Sequence, residues 1–546
     1  MKFLILGLLI FLTAACTTNN FDEAVNSINK EEIEKHVKLL SSDDFEGRAP
    51  DSKGEELTIN YLKGEFERLG LKPANGNSYF QEINLVRIMS HASSKMIIEG
   101  RGKKIELNHA DEFVAQSKHL TDEIEISDAD LVFAGYGIVA PEYNWNDYAD
   151  LDVKDKFVIV MVNDPGYHTK DSSLFTGNAM TYYGRWRYKY EEAARQGAAG
   201  IFVVHETGAA GYPWAVVRNG WTGEEFTLDS PDKNTNKSEI EGWFNLDKTR
   251  EIFAAAGYNF DEELEKAKVR GYKGFNLGLK SSLIIKNDFS TSKSNNVLAV
   301  LEGSKHPDEY IFYMGHWDHM GIDTTLEGDQ IYNGARDNAA GIASILEIAE
   351  AFSKLDKKPE RSIVFFATAV EEQGLLGSAH YAANPIFPLN KTVAAINIDA
   401  PNVYGETSDI TLIGYGQSEL DNYVKRAAEM QNRNVHSDPT PEKGFYYRSD
   451  HFSFAKVGIP AIYLKSGNNH IHHGEDYIVN LLNDYTQNHY HEPSDEFYED
   501  KWDLQGLVVD TQLLFKVGNE LANNNDWPKW NEKSEFRAAR EASLSK

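Results

Sequence analysis

The chain has 546 residues, more than one small domain needs and enough for two or three compact units. With 41% hydrophobic and 25% charged residues, and 28 Phe and 27 Tyr among them, it can build sizeable cores, which excludes a disordered or collagen-like chain. Acidic side chains outnumber basic ones 84 to 55, and the formal charge of -29 repels phosphate backbones and argues against nucleic acid as a partner.

The chain opens on Met1 and Lys2, an apolar run from Phe3 to Leu12, and Thr13-Ala14-Ala15 ahead of Cys16. A positive start, a short apolar run and small residues before a cut site make a secretory signal over residues 1–15, too short to span a bilayer comfortably. Cys16 is the single cysteine, so there is no intrachain disulfide and no cysteine-held zinc; any metal must be held by His, Asp and Glu. Its position resembles the lipobox of bacterial lipoproteins. That likeness implies lipidation of Cys16, a membrane anchor and a place in the bacterial cell envelope, periplasmic or surface-exposed. Two or more acyl chains give stable anchoring, at roughly 0.8 kcal/mol per buried CH₂.

A polar tether over residues 16–26 comes next. Leu62, Phe66 and Leu69 then stand at helical spacing, and Gly70 makes a good C-terminal stop. From 128 to 285 the texture changes to glycine-punctuated β segments such as Leu131–Gly137 and Phe157–Val162, with a helix over Tyr190–Gln196 leading into the strand Ile201–Val204. Beyond that, short apolar strands alternate with amphipathic helices: strands at Val297–Leu301, Tyr310–Met314, Ile363–Thr368 and Val393–Ile398, helices from Gly341 and from Leu375, and a last helix over Leu504–Leu521. This alternation predicts an α/β fold, an open twisted mostly parallel sheet flanked by helices. Residues 524–546 read as a charged, marginal tail.

The polar residues fall at informative places. Strand Tyr310–Met314 runs into Gly315-His316-Trp317-Asp318-His319, strand Ile363–Thr368 into Glu371-Glu372, and strand Val393–Ile398 into Asp399, while Asp337 precedes a helix. Ligands of open α/β sheets sit beyond the carboxyl ends of the strands, where all of these would gather. Carboxylates and imidazoles without sulfur suit zinc, with Mn2+ or Co2+ as alternatives. Neighbouring Glu371 and Glu372 cannot easily aim at one ion, so one would ligate while the other takes a proton from the attacking water.

Gly315-His316-Trp317-Asp318, Ala335-Arg336-Asp337-Asn338-Ala339-Ala340-Gly341, Glu371-Glu372, Asn397-Ile398-Asp399, Ser449-Asp450-His451-Phe452 and Tyr490-His491-Glu492-Pro493-Ser494-Asp495, together with Asp44-Phe45-Glu46-Gly47-Arg48, resemble the co-catalytic zinc exopeptidases. That family includes bacterial leucyl-type aminopeptidases, aminopeptidase Y and glutamate carboxypeptidase. The resemblance implies the zinc exopeptidase fold and two Zn2+ per chain. Asp337 would bridge the metals, with His316 and Asp399 completing one, and Glu372 and His491 the other. Glu371 would be the general base, and Asp318 would accept the free ring N–H of His316 and fix its tautomer. Tyr446 stands where some relatives carry an oxyanion-steadying tyrosine, and Arg448 could meet a substrate carbonyl or carboxylate. The pattern gives no ligand role to His319 or to the cluster His470, His472 and His473, which reads as a polar loop.

Residues 128–285 resemble the β-rich protease-associated domain inserted in this family, through Phe133-Ala134-Gly135-Tyr136-Gly137 and Ala193-Ala194-Arg195-Gln196-Gly197-Ala198-Ala199-Gly200. It would wall the cleft, with Tyr182, Trp186 and Tyr188 at the entrance. The peptidase domain would then comprise 27–127 and 286–523. The implied function is a membrane-anchored metallo-exopeptidase that removes N-terminal residues from peptides. The alternatives are a glutamate-carboxypeptidase-like enzyme and a non-catalytic, receptor-like binding protein of the same fold. Terminal-residue preference and oligomeric state are not encoded in any motif.

Overall fold

A computed structural model describes residues 20–545; Cys16 and the expected signal lie outside the described residues. Helix α1 (Phe21–Ser27) occupies part of the stretch expected as a tether. It buries Ala24 and Val25 and stacks Phe21 on Phe515 with ring centroids 5.7 Å apart. Three apolar residues on one short helical face outweigh a polar average. Helix α2 (Lys30–Leu40) starts at Asn29, whose side chain accepts the Glu32 amide N–H at 3.1 Å. Helix α3 (Lys53–Arg68) buries Leu62 and Phe66, with Ser52 as its cap.

The inserted segment and the rest of the chain share strands. Strand β1 (Phe80–Ala92) leads in, followed by β2 (Glu123–Phe133), β3 (Phe157–Met161), helix α4 (Trp186–Arg195), β4 (Gly200–His205) and β5 (Ile240–Asn245). Strands β2, β3, β4 and β5 pair in parallel in that order. Strand β6 (Phe275–Leu301) is 27 residues long. Its first part lies antiparallel to β2, its middle pairs with β1, and its end enters a second sheet region that is continuous with the first. The expected boundaries at 127/128 and 285/286 both fall inside continuous strands. The sequence change there marks a change in exposure: Leu277, Leu279, Leu283 and Ile285 alternate with exposed residues, whereas Asn296–Ala299 are buried throughout.

The second sheet carries β7 (His306–His316), followed by helix α5 (Ala340–Ser353), β8 (Arg361–Thr368), β9 (Thr392–Asn397), β10 (Asp409–Ile413), β11 (Asn434–Ser437), helix α6 (His451–Lys456) and β12 (Ala461–Ser466). Its order is β6-β8-β7-β9-β12-β10-β11, and the four strands β8, β7, β9 and β12 are parallel. Strands β8 and β9 are buried along their whole length, as a sheet covered on both faces requires. Ile311, Tyr313, Ile363 and Phe365 face one core, shared with α2, α5 and helix α7 (Gln505–Ala522). Phe312, Met314, Val364 and Phe366 face the opposite one with Tyr381 and Phe454. The alternation is the period-two signature of strands. No helix among the described residues is long and apolar enough to cross a membrane.

The stretch 524–546, expected as a marginal tail, is packed. Trp530 and Phe536 are buried, the Trp530 indole donates to the Gly458 carbonyl at 2.8 Å, and Arg540 of helix α8 (Arg537–Leu544) donates to the Thr392 carbonyl at 2.8 Å. Its many charges hide two aromatic anchors.

Candidate metal centre

Five ligand-bearing segments converge at one edge of the second sheet. Strand β7 ends on His316, β8 continues into Glu371 and Glu372, and β9 continues into Asp399. Asp337 precedes α5, and the loop after helix Glu475–Asn488 brings in His491. Asn338 ties the first, third and fourth of these together. Its amide donates to the Ile398 carbonyl at 2.9 Å and the His316 carbonyl at 3.3 Å, and its oxygen accepts the Gly341 and Ala400 N–H groups at 3.1 and 3.2 Å. A Cβ at position 341 would lie 2.1 Å from that oxygen, so only glycine lets the loop close. The Asp337–Asn338 peptide is cis.

The side chains then fall into two groups around one carboxylate. His316 Nε2 is 3.1 Å from Asp337 Oδ1 and 3.7 Å from Asp399 Oδ1. His491 Nε2 is 3.6 Å from Asp337 Oδ2 and 3.0 Å from Glu372 Oε2. The two oxygens of Asp337 thus face two separate histidine–carboxylate pairs. Both Nε2 atoms are buried and make no hydrogen bond. Several carboxylates this close repel one another unless positive charge lies between them. Orphaned imidazole nitrogens facing converging carboxylates are the donor set of a zinc site, and His316, Asp337, Asp399, Glu372 and His491 fit that metal.

Other placements differ from the sequence reading. The Asp318 carboxylate does not take the His316 ring N–H: it lies 4.0 Å away, and the Asp318 carbonyl oxygen is the atom 3.0 Å from Nδ1. The carboxylate instead accepts the backbone N–H groups of Glu371 at 3.1 Å and Glu372 at 3.4 Å, because the chain turns directly over it. Burial pushes the Asp318 carboxyl up to about 7. Burial also raises Glu371 well above the usual carboxylate range, with neighbouring Glu372 and Asp399 adding to the effect.

His319, which the sequence pattern left without a part, stands in the cluster with Nδ1 2.6 Å from Glu372 Oε1. Asp495 is a second residue that the sequence reading gave no role: it accepts the Arg336 and Asp337 N–H groups, both at 3.1 Å, and the Tyr485 hydroxyl at 3.0 Å. Tyr490 is a third. Its ring stacks on His491 at 3.8 Å, and it is close enough to feel the charges of Asp337, Glu372, Glu371 and Asp399. Arg48 fastens the N-terminal segment beneath the site, donating to the carbonyls of Trp317, Leu40, Asn333 and Gly334.

Tyr446 is not gathered into this cluster. It is buried against His451, Tyr447 and Phe536, and its hydroxyl makes no hydrogen bond. Arg448 is half-buried against Tyr212 of the inserted segment and donates to the Lys443 carbonyl at 2.6 Å. His470, His472 and His473 form a separate turn in which His470 Nδ1 accepts the amides of the other two at 3.0 and 3.2 Å. Tyr182 and Tyr188 are buried and Trp186 packs on Trp221 and Trp243, so these aromatics serve packing; Tyr182 meets Phe452 at 4.9 Å across the two halves.

Residues 296–515 match the sequence profile of peptidase family M28. His316, Asp337, Glu371, Glu372, Asp399 and His491 all fall within the matched residues. Over 130 residues it is 33% identical to Aminopeptidase NAALADL1 of Mus musculus, covering 23% of this chain and 16% of that protein. Over 91 residues it is 43% identical to a probable zinc metalloprotease of Pyricularia oryzae, covering 16% of this chain and 17% of the relative. The chain thus matches less than a fifth of the length of either. An aminopeptidase from Aneurinibacillus sp. strain AM-1 has a solved structure that aligns over 93% of this chain and 97% of its own at 18% identity, with a TM-score of 0.47.

Proposed function

We propose that this protein is a zinc-dependent aminopeptidase that removes residues from the N-termini of peptides, with two zinc ions held at the Asp337 cluster. The observation that carries the reading is the pair of Asp337 oxygens facing His316/Asp399 on one side and His491/Glu372 on the other. Zinc supplies Lewis-acid polarisation of the scissile carbonyl and makes water a better nucleophile at neutral pH. Glu371 takes the proton of the attacking water and passes it to the leaving amine nitrogen, completing hydrolysis of the peptide bond. Asp318 holds the turn that aims Glu371 and Glu372. Tyr490 offers a hydroxyl to the oxyanion that develops on the carbonyl.

The segment 128–285 serves as a protease-associated domain that narrows access to the cleft, and Cys16 anchors the chain to the cell envelope. Release of a Cys16→Ser protein from membranes supports the anchor; retention after a high-salt wash refutes it.

One observation favours the carboxypeptidase alternative. Arg185 is only 8% exposed, with Arg448 and Arg187 among the charges around it, and the buried Nε of Arg448 has no partner. Arg187 also donates to the Gly374 carbonyl, two residues past Glu372, at 2.9 Å. Guanidiniums without a carboxylate at the edge of the site suit a substrate carboxylate. Peptides with free or blocked N-termini, each with a free or amidated C-terminus, decide the matter. The aminopeptidase requires only the free N-terminus. Cleavage that requires a free C-terminus assigns the protein to the alternative.

A further inference from the structure

Behind the catalytic sheet, Glu32 and His36 of α2 and Glu347 of α5 each offer a ligand atom, all within 4.8 Å of one another. Glu32 and His36 are four apart and share a helix face, and α2 lies across α5. His36 and Glu347 are each 1% exposed. Glu347 Oε1 has no hydrogen-bond partner and faces His36 Nε2 at 3.7 Å. That is too long for a hydrogen bond and close to the roughly 3.3 Å that separates two ligand atoms on a tetrahedral zinc. The other ring nitrogen of His36 bonds the Tyr61 hydroxyl of α3, the kind of contact that fixes a ligating histidine in one tautomer. Burial pushes the Glu347 carboxyl up, with neighbouring His36 opposing the shift.

We propose that Glu32, His36 and Glu347 form a second zinc site, separate from the Asp337 cluster, that pins the N-terminal helix α2 to helix α5. Two carboxylates and a neutral imidazole balance the charge of the ion. Glu32, with its side chain 41% exposed and paired to Lys35 at 3.1 Å, swings from that surface pair to close the site and leaves a position open to water. Because α5 begins at the Asp337 loop, the clamp steadies the helix that carries the catalytic cluster without touching substrate.

The test compares the full-length protein with Glu347→Gln and His36→Gln after equilibration in zinc and removal of the excess. Each variant should hold one zinc fewer per chain than the parent and show a smaller rise in melting temperature on adding zinc, with peptide turnover retained. Equal zinc content in the parent and in both folded variants would overturn the proposal. Should either buried substitution prevent folding, Glu32→Gln at the exposed edge gives the same comparison. The readout is a difference between chains with the same Asp337 cluster, so it stands apart from the count and the chemistry at that cluster.

Discussion

Glu371 and Glu372 are neighbours whose amides share one acceptor, Asp318, yet they face different groups. Glu372 meets His491 and His319, and Glu371 lies near His316. Glu371→Gln keeps the shape and removes the base. Turnover should fall about 10²–10⁴-fold with the zinc content intact. Glu372→Gln replaces a carboxylate by a poorer ligand and should lose zinc. Zinc stoichiometry and turnover measured on both variants check this, and full activity in Glu371→Gln would remove the base from the mechanism. His316, Asp337, Glu371, Glu372 and Asp399 were legible because each stands just past a strand or just before a helix, whereas His491 came only from the family resemblance. His319, Asp495 and Asn338 were not legible, since their partners lie 53, 158 and 60 residues away in the chain. Nothing in local spacing marks such pairs. The Asp318 contact was misread for a related reason: which of its oxygens meets His316 depends on the turn of the backbone, not on the residue type.

Elements are held to the site by contacts that sequence texture hides. Arg48, 1% exposed, gives three hydrogen bonds to carbonyls that flank the His316 and Asp337 loops and one to the Leu40 carbonyl at the end of α2. Truncation would leave those acceptors buried and unpaired. Arg48→Ala should therefore cost about 3 kcal/mol, read as a lower denaturant midpoint at constant slope. Phe536 packs on Trp530, Tyr446 and Phe452. Phe536→Ala should cost about 3–5 kcal/mol if the C-terminal segment is part of the core, and an unchanged midpoint would return that segment to the status of a tail. Strand identity along the catalytic sheet was readable from short apolar runs between helices. The extent of β6 was not: its exposed alternating part and its buried part look like two elements, and only pairing with β1 across the join makes them one.

At the scale of the molecule, a chain of net charge -29 concentrates carboxylates at one sheet edge, and Arg185, Arg187 and Arg448 stand near one another. The carboxylates call for cations, and the arginines are the feature the carboxypeptidase alternative would use to hold a substrate carboxylate. The inserted segment supplies Arg185, Arg187 and Tyr212, while residues 296–515 supply Arg448 and the Asp337 cluster. Zinc titration into chelated protein, followed by calorimetry and peptide turnover together, tests the central claim most directly. It is best done on the Glu347→Gln chain, where only the Asp337 cluster should take up metal. Two equivalents should bind, with activity lost on chelation and regained as they bind. A chelated protein that keeps full activity, or one that takes up no zinc while activity is absent, would contradict the account.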